Sequence, residues 1–457
     1  MNRPLSYDLG DPICALATPW GVSALAVIRT SGEGSIDLIS RIFSKQESLQ
    51  RSEGGRIHHG ILQTSTGEPL DEVVIAVFRA PHSYTGEDSA EIYCHGSLPG
   101  IRSILETLRE IGFRSAEPGE FTYRAFIHGK MDLTRAEAVH EIVSAKTRKA
   151  HLLAFHRLEG ALEKELQGIR TTLLDLQTTV EIQLDYPEED APDVEIPMDS
   201  IRTTIVSIDR LLQSYREGKL YQEGVQIALA GRTNAGKSSL FNRFLREERS
   251  IVSEIHGTTR DYIEATISIG GIPVRLYDTA GLRTSHDPIE AEGVKRSRSL
   301  IESCALVLFL IDCTDPNLTE EEEAFLERLG NRLIRVYTKI DLDTGWNDRM
   351  ESRTHLGVSA LTGEGFDRLS REIESRLKAG LHGGTEEVLI ESDRQKALLE
   401  RCKHALIRFQ EGIEKRLPLD VVAMDIQDAL QAMGELTGEV TTEEMLIRMF
   451  SRFCVGK

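Results

Sequence analysis

Residues 225–239, VQIALAGRTNAGKSS, constrain the fold of this chain more than any other stretch. A short apolar run at 225–230 is followed by the spacing G-x-x-x-x-G-K-S, which begins at Gly231 and ends at Ser238. The run is typical of a strand buried on both faces of a parallel sheet, and the apolar spacing after Lys237 predicts a helix. The sequence therefore predicts a phosphate-binding loop between a strand and a helix, rather than an ordinary glycine-rich turn.

The residue types of this loop suit a nucleoside triphosphate. Its glycines allow backbone N–H groups to surround phosphate oxygens at the positive end of the helix dipole. Lys237 supplies a charge for the β- and γ-phosphates, and the hydroxyl of Ser238 is a ligand for Mg²⁺.

Four further stretches, at residues 257–261, 278–281, 338–341 and 359–361, follow in the order that a guanine-nucleotide site requires. In the first two, Thr259 offers a hydroxyl and an N–H to Mg²⁺ and the γ-phosphate, Asp278 holds Mg²⁺ through water, and the Gly281 N–H detects the γ-phosphate. In the last two, the Asp341 carboxylate accepts two N–H groups of guanine and the backbone at 359–361 donates to the guanine oxygen. Each stretch alone is a weak signal, but in register after the loop they predict a GTPase.

Two residues indicate that this GTPase activates itself. Leu282 follows Gly281, where many regulatory GTPases carry a glutamine that orients the attacking water. Since leucine cannot do this, an acid of the same segment is predicted to take the role, with Asp287, Glu290 and Glu292 as candidates. The amide oxygen of Asn234 in the loop is suited to coordinate a monovalent cation.

The periodicity elsewhere predicts a multidomain chain. Residues 1–124 mix short strands with a helix and form an α+β domain, and residues 125–218 begin an all-α helical domain with a long amphipathic helix at 162–184. An α/β P-loop GTPase (Ras-like) domain at 219–378 is inserted into it, and residues 379–457 complete the helical domain with a terminal cysteine motif. The later helices are expected to pack on the helix at 160–184.

Helix starts are predicted from capping pairs, in which a hydroxyl residue precedes Glu or Gln by three positions. The pairs are Thr134/Glu137, Thr319/Glu322, Ser392/Gln395 and Thr441/Glu444. The acidic run at 320–323 is thus interpreted as a solvated helix start without chemistry of its own.

Charge and cysteine content limit the class of protein. The net charge of −19 argues against a surface that coats nucleic acid generally, so any RNA contact is confined to a local basic face. The six cysteines form no C-x-x-C pair, which favours a reduced, cytoplasmic compartment. The apolar stretch at 13–28 is interrupted by Pro19 and Gly21, so neither a signal peptide nor a membrane span is expected.

The sequence resembles the bacterial MnmE (TrmE) family of tRNA modification GTPases, of the TrmE-Era-like group in the TRAFAC class. Besides the nucleotide motifs, the resemblance is carried by residues 17–19 with Arg29, 83–88, 118–122, 130–133 and the terminal 453–457. It covers the whole chain.

This resemblance implies an N-terminal domain that forms a homodimer and binds formyl-tetrahydrofolate as one-carbon donor. It also implies G domains that pair in a GTP-dependent way and a FAD-containing MnmG-type partner, with which a heterotetramer forms. The pair would install an aminomethyl- or carboxymethylaminomethyl-type group on C5 of the wobble uridine of certain tRNAs.

By position, the folate site would use Arg29, Glu91, Lys130 and Lys457. A K⁺ site would use Asn234, Ser253, Ile255 and Thr258, and Glu290 would be the water-orienting acid. The Mg²⁺ site comprises Ser238, Thr259 and Asp278, while Glu290, Asn234, Lys237 and Cys454 are the candidate catalytic residues. The expected nucleotide-binding set is Asn234, Ala235, Gly236, Lys237, Ser238, Ser239, Ser253, Glu254, Ile255, His256, Gly257, Thr258, Thr259, Asp278, Thr279, Ala280, Gly281, Thr338, Lys339, Asp341, Ser359, Ala360 and Leu361.

The chain departs from the family pattern at two places. Residues 20–24, WGVSA, replace a glycine- and arginine-rich run near the folate pocket. Thr338 replaces the asparagine that braces the phosphate loop, so a weaker affinity for nucleotide is expected, while Asp341 preserves the choice of guanine.

Two other classes share some of these features. A ribosome-assembly or signalling GTPase has the same nucleotide motifs, because those motifs specify nucleotide handling and not purpose. It would need an RNA-binding appendage, and the sequence has no KH-type G-x-x-G loop in a basic setting. A dynamin-like membrane remodeller would need a basic or apolar tip, which does not stand out.

Overall fold

The computed structural model describes residues 7–185, 195–247, 262–279, 300–343, 356–379 and 389–456, without the side chains of Tyr262, Ile263 and Thr279. These residues fall into two compact units. The first comprises Met1–His140, Arg157–Ile201 and His404–Lys457, and the second comprises Glu141–His156 and Arg202–Lys403.

The first unit begins with a six-stranded sheet. Its strands are β1 (Ile13–Leu16), β2 (Ser23–Ser31), β3 (Arg56–Gln63), β4 (Pro69–Phe78), β5 (Ser89–Gly96) and β6 (Arg114–Ser115), in the order β3-β4-β5-β2-β1-β6. Neighbouring strands are antiparallel except β1 and β6, which are parallel. Three helices, α1 (Ser35–Ser40), α2 (Gln46–Gln50) and α3 (Leu98–Glu110), bury their apolar sides on one face of this sheet.

The opposite face of this sheet carries a row of cross-strand pairs. Val27 lies opposite Tyr93, and Tyr93 lies opposite Val74. Leu25 on β2 and Ile57 on β3 are 62% and 71% exposed. We call this surface the open face, because large apolar side chains remain accessible on it.

Helices make up the rest of the first unit. They are α4 (Glu120–Ile127), α5 (Leu133–Ser144), α6 (Arg148–Leu158), α7 (Ala161–Asp185), α8 (Met198–Glu223), α12 (Asp393–Glu414), α13 (Leu419–Thr437) and α14 (Glu443–Phe450), of which α5, α6, α8 and α12 continue into the second unit. Helix α7 buries the predicted apolar stripe, and α13 packs on it. An Arg170–Glu439 ion pair of 2.6 Å joins α7 to the residues after α13.

Two capping predictions were wrong. Asp132 accepts hydrogen bonds from the Arg135 N–H and from the Thr134 hydroxyl, so Asp132 and not Thr134 caps α5. Thr442 and not Thr441 caps α14, because its hydroxyl accepts from the Met445 N–H. The pattern located both helices but missed their first residues by one or two positions.

The second unit contains the sheet that follows from the phosphate loop. Its strands are β7 (Val225–Gly231), β8 (Tyr262–Ile269), β9 (Ile272–Thr279), β10 (Leu306–Asp312), β11 (Leu333–Thr338) and β12 (Leu356–Val358), in the order β12-β11-β10-β7-β9-β8. All neighbours are parallel except β8 and β9. Helices α9 (Lys237–Glu247), α10 (Glu320–Leu329) and α11 (Phe366–Leu377) pack against it. Thr319 and Glu322 form the predicted capping box of α10.

The chain enters and leaves this sheet at neighbouring points. A single residue separates the end of helix α8 from the start of β7. Gly218 on α8 lies so close to the segment before α12 that a Cβ there would be 2.3 Å from the Ile390 oxygen. The Ser214 hydroxyl accepts from the Ile390 N–H at 3.2 Å. The two connecting segments are therefore joined within the second unit.

The predicted fold class is confirmed: an α+β N-terminal domain, a helical domain and an α/β P-loop GTPase domain. The exact domain bounds, 1–124, 125–218, 219–378 and 379–457, remain a prediction. Within the described residues, no helix is long and apolar enough to cross a membrane.

Candidate functional site

The phosphate loop has the backbone that its glycines permit. Gly231 has φ of 141°, and a Cβ there would lie 2.4 Å from the Leu310 oxygen of the neighbouring strand. Gly236 has φ of 83° and Asn234 has φ of 65°, both in the left-handed region. Ala235 between them is buried. Asn234 is exposed at the turn, and its role as a cation ligand stays a prediction.

Lys237 is held against the start of the loop. Its ammonium donates to the Gly231 oxygen at 3.0 Å and to the Arg232 oxygen at 2.8 Å. Burial lowers the pKa of Lys237, and the charge of Asp278 opposes this shift. The side chain is thus a fixed cation at the mouth of the loop.

The predicted magnesium ligands Ser238 and Asp278 lie together. The Ser238 hydroxyl donates to Asp278 Oδ2 at 2.7 Å, and Asp278 is buried at the end of β9. A hydroxyl and a carboxylate in contact, beside a lysine, provide the oxygen ligands that Mg²⁺ prefers. The residues present therefore fit this ion.

Thr338 retains a connection to the phosphate loop. Its Oγ1 lies 2.8 Å from the Ala235 oxygen and 3.2 Å from the Ile311 oxygen, and the side chain is buried. The hydroxyl therefore braces the loop carbonyl directly. This contact removes the physical reason for expecting a loosely held loop, although the nucleotide affinity itself stays a prediction.

The two stretches that are predicted to bind guanine follow the neighbouring strands β11 and β12 at the same edge of the sheet. Lys339 has φ of 61° and pairs with Asp312 Oδ2 at 2.6 Å, while Asp341 is exposed in a short 3₁₀ turn. At the end of β12, Ser359 is buried and its hydroxyl accepts from the Thr362 N–H at 3.1 Å. This bond fixes the turn that exposes Leu361 and places Ala360 between them.

One contact of the loop does not follow from its motif. Arg232 makes a two-point pair with Glu322, at 2.8 and 2.6 Å, and lies 3.4 Å from Asp315. Glu322 belongs to the acidic run at 320–323, for which the sequence predicts a solvated helix start without chemistry of its own. Glu322 caps α10 and also anchors the phosphate loop. A local spacing cannot predict this second role, because Arg232 and Glu322 are 90 residues apart.

A second group of predicted residues meets in the first unit. Arg29 donates from Nε and Nη2 to Glu91 Oε1, at 3.0 and 2.8 Å, and from Nη1 to the Gly456 oxygen at 3.1 Å. The hydroxyl of Tyr93 donates to Glu91 Oε2 at 2.8 Å. The strand register places Arg29 opposite Glu91. The two predicted folate ligands are thus paired, and the chain terminus lies beside them.

Aromatic rings surround this arginine. The guanidinium carbon lies 5.4 Å from the Tyr84 ring centre and 5.8 Å from that of Phe121. Burial raises the pKa of Tyr84, whose hydroxyl lies 2.9 Å from that of Thr122. Lys130 contacts the segment between β4 and β5 that also carries Tyr84, since its ammonium donates to the Pro81 oxygen at 2.8 Å.

Cys454 is exposed, whereas the other five cysteines are buried. Its backbone oxygen accepts from the Gly119 N–H at 3.3 Å, and Gly456 two residues later packs so closely that a Cβ would lie 2.8 Å from the Leu16 oxygen. The tail is therefore anchored on both sides of an accessible thiol.

Several predicted site residues lie outside the described part of the chain. They are Ser253, Glu254, Ile255, His256, Gly257, Thr258, Thr259, Ala280, Gly281, Glu290 and Lys457, and the side chain of Thr279. Their roles stay predictions.

The chain is similar to known proteins over nearly its whole length. Residues 133–454 match the model of the MnmE helical domain, and residues 12–130 match that of the GTP-binding protein TrmE N-terminus. The tRNA modification GTPase MnmE of Aquifex aeolicus is 42% identical over 98% of this chain and 100% of its own length. The proteins of the same name from Borreliella burgdorferi and Treponema denticola are each 40% identical over 99% of both chains. This chain therefore belongs to the MnmE family of tRNA modification GTPases.

Proposed function

We propose that this chain is a potassium-dependent GTPase that modifies C5 of the wobble uridine in certain tRNAs. It acts with a FAD-containing MnmG-type partner, takes its one-carbon unit from formyl-tetrahydrofolate, and adds an aminomethyl- or carboxymethylaminomethyl-type group.

The observation that carries this proposal is the contact of Arg29 with both Glu91 and the Gly456 oxygen. It brings a cation, a carboxylate and the accessible Cys454 into one region of the first unit. Folates are flat, carry carboxylates and present ring N–H groups, so the Arg29 cation, the Glu91 carboxylate and the Tyr84 ring suit them.

The nucleotide part follows from the residues of the second unit. Lys237 and the loop N–H groups bind the phosphates, and Asp341 selects guanine. Ser238, Asp278 and Thr259 would hold Mg²⁺, which neutralises phosphate charge when bound. Asn234, with Ser253, Ile255 and Thr258, would hold K⁺.

The open face supports homodimerisation through the N-terminal domain. The exposed side chains of Leu25 and Ile57 lie on the same face as the half-buried Val27, Val74 and Tyr93. Such an apolar surface is stabilised when a second subunit covers it. Arg29 and Glu91 occupy this face, so dimerisation would place the folate site at the interface.

Nucleoside mass spectrometry of tRNA tests the proposed function. A strain that lacks the gene should lose the C5-modified wobble uridine, and expression of the wild-type chain should restore it. Arg29→Ala should not restore it, whereas Arg102→Ala, at an exposed position of α3, should do so fully. An unchanged nucleoside profile in the deletion strain would refute the proposal.

Potassium should stimulate GTP hydrolysis. Because the exposed amide of Asn234 lies at the positive-φ turn of the loop, it can bring an extra cation to the phosphates. Turnover in KCl is expected to exceed that in NaCl by about tenfold or more at equal ionic strength. Equal turnover in the two salts would contradict the potassium site.

The Asp341→Asn variant should change the preferred base. The substitution replaces one carboxylate acceptor by a donor, which suits xanthine better than guanine. Affinity for GTP should fall by about ten- to a hundredfold and affinity for XTP should rise, as measured with fluorescent nucleotide analogues. A preference for GTP that does not change would show that Asp341 does not contact the base.

The Cys454→Ser variant should lower tRNA modification and keep GTP hydrolysis. Since the thiol is exposed, its replacement by a hydroxyl should leave folding and the nucleotide site intact. Complementation of the deletion strain measures modification, and phosphate release measures hydrolysis. Full modification would limit this cysteine to packing of the tail, and loss of hydrolysis would assign it to the fold.

A further inference from the structure

The end of strand β10 holds the turn that carries Asp341. Asp312 is the last residue of this strand. The turn follows β11 and includes the 3₁₀ helix Ile340–Leu342. Strands β10 and β11 are parallel neighbours, and Asp312 lies opposite Thr338 at their ends. The residues that follow the two strands are therefore brought into contact.

The backbone of the turn is supported at Lys339. Its φ of 61° lies in the left-handed region, which a residue with a Cβ occupies at a cost in energy. The Cys313 N–H donates to the Thr338 oxygen at 3.1 Å, and the Cys313 thiol donates to the Lys339 oxygen at 3.1 Å. The Leu342 N–H donates to the same oxygen at 2.9 Å. The turn is thus held both from the end of β10 and from within.

Asp312 holds the side chain of Lys339. Its Oδ2 accepts from the Lys339 ammonium at 2.6 Å, while its Oδ1 accepts from the N–H and the hydroxyl of Thr314 at 3.0 and 2.7 Å. Burial alone would raise the pKa of Asp312, but the hydrogen bonds from Lys339 and Thr314 outweigh burial and lower it. Asp312 is therefore a carboxylate at neutral pH, and its two oxygens bind different partners.

This ion pair is more restrained than an ordinary surface pair. The side chains of Lys339 and Asp312 are 35% and 21% exposed. Pairs between freely exposed side chains contribute little, because both side chains lose conformational freedom when they pair. Here the bonds from Thr314 already fix the carboxylate, so that less freedom is lost when Lys339 binds it.

The end of β10 also contacts the phosphate loop through Thr338. The Oγ1 of Thr338 lies 2.8 Å from the Ala235 oxygen and 3.2 Å from the oxygen of Ile311, which precedes Asp312. One strand end therefore connects the residues predicted to bind phosphate with those predicted to bind guanine.

We propose that Asp312 is a positioning residue for the guanine-binding turn. It fixes Lys339, and through Lys339 it holds the Asp341 carboxylate in the orientation that binds the base. This rests on the proposed function, in which Asp341 selects guanine. In this role Asp312 acts through Lys339 and not by contact with the nucleotide.

The variant Asp312→Asn tests this role with little change of shape. The amide oxygen can still accept from Thr314, whereas the amide nitrogen cannot accept from the Lys339 ammonium. Affinity for fluorescent GTP and GDP analogues should fall by about three- to tenfold, the scale of one hydrogen bond. The factor should be the same for both nucleotides, because they carry the same base. In steady-state hydrolysis the loss should appear as a higher KM, with kcat within about twofold of wild type.

The variant Glu323→Gln is the matched control. It removes the same charge from another ion pair of the second unit, that with Arg335 at 2.7 Å, and should leave both affinities within about twofold. The melting temperature confirms that each variant is folded. Wild-type affinity in Asp312→Asn would overturn the proposal, as would an equal loss in the control.

A double-mutant cycle shows whether Asp312 acts through Lys339. Lys339→Met removes the ammonium and keeps a long apolar side chain. In that background Asp312→Asn should change the affinity for GTP by less than about twofold. If the second substitution instead causes the full loss again, Asp312 acts by another route and the proposal is wrong.

Failure of the nucleotide assignment gives a different result. Wild-type affinity in Lys339→Met itself would refute the predicted place of Lys339 in the nucleotide site, and the role of Asp312 with it. Failure of the proposed tRNA modification is seen separately, as unchanged wobble uridine in the deletion strain.

Discussion

Replacement of Glu290 by alanine is expected to lower the turnover of GTP hydrolysis by about two to four orders of magnitude, the scale of general-base catalysis. Affinity for GTP should be nearly unchanged. The expectation rests on Leu282, which cannot orient water, and on the described site. There Lys237 is a cation and the Asp278 carboxylate accepts the Ser238 hydroxyl, so neither is free to act on water.

Two neighbouring acids provide the controls for this prediction. Asp287→Ala and Glu292→Ala remove a carboxylate from the same segment and should retain most of the turnover. Single-turnover phosphate release with saturating GTP separates hydrolysis from binding. If one of these two variants shows the large loss and Glu290→Ala does not, the water-orienting role belongs to that acid.

The Arg124→Met variant should destabilise the N-terminal sheet by about 3–5 kcal/mol, because it removes the buried guanidinium that is the arginine partner of Glu87. Glu120 keeps its pair with Arg114 at 2.6 Å. Arg124 and Glu120 are fully buried and pair at 3.0 Å, and Arg124 also donates to both oxygens of Glu87 at 3.1 Å. Its Nη2 reaches the backbone oxygens of Asp8 and Asp11, each at 2.8 Å. One guanidinium thus joins the N-terminal segment, the loop with Glu87 and α4.

Hydrogen exchange of the β2 and β5 amides in urea measures this effect, since a multidomain chain does not unfold in one transition. The exposed Arg102→Met is the matched control and should change stability by less than about 0.5 kcal/mol. A change below about 1 kcal/mol in Arg124→Met would show that water replaces the guanidinium and that the ion pairs contribute little.

The parts of this molecule that the sequence predicted are those encoded by local patterns. The phosphate loop, the strands after it and the helix α7 were each predicted from the spacing of glycine or apolar residues within a short stretch of sequence. Ser238 and Asp278 were also predicted as neighbours, because the motifs of nucleotide sites recur in a fixed order. Local periodicity did not distinguish Asp132 from Thr134 as a cap, since both residue types accept the same N–H groups.

Contacts between distant residues account for what was missed. Arg29 and Gly456 are 427 positions apart, so no local pattern predicts their contact, and only the family resemblance places the neighbouring Lys457 at the same site. The pair of Arg232 with Glu322 and the buried arginine of α4 likewise depend on tertiary packing. Arg and Glu are common on exposed helix surfaces. The residue type therefore does not predict that these particular side chains are buried or that they join distant segments.

The contact of Gly218 with Ile390 bears on whether the inserted domain can be removed or replaced. Because the entry and exit segments of the GTPase sheet touch, we expect that the domain between them can be excised and its ends closed by a short linker. The same geometry allows another GTPase to be transplanted in its place. Gly218 on α8 thus allows the two ends of the inserted domain to lie in contact. A larger residue at this position would push the two ends apart.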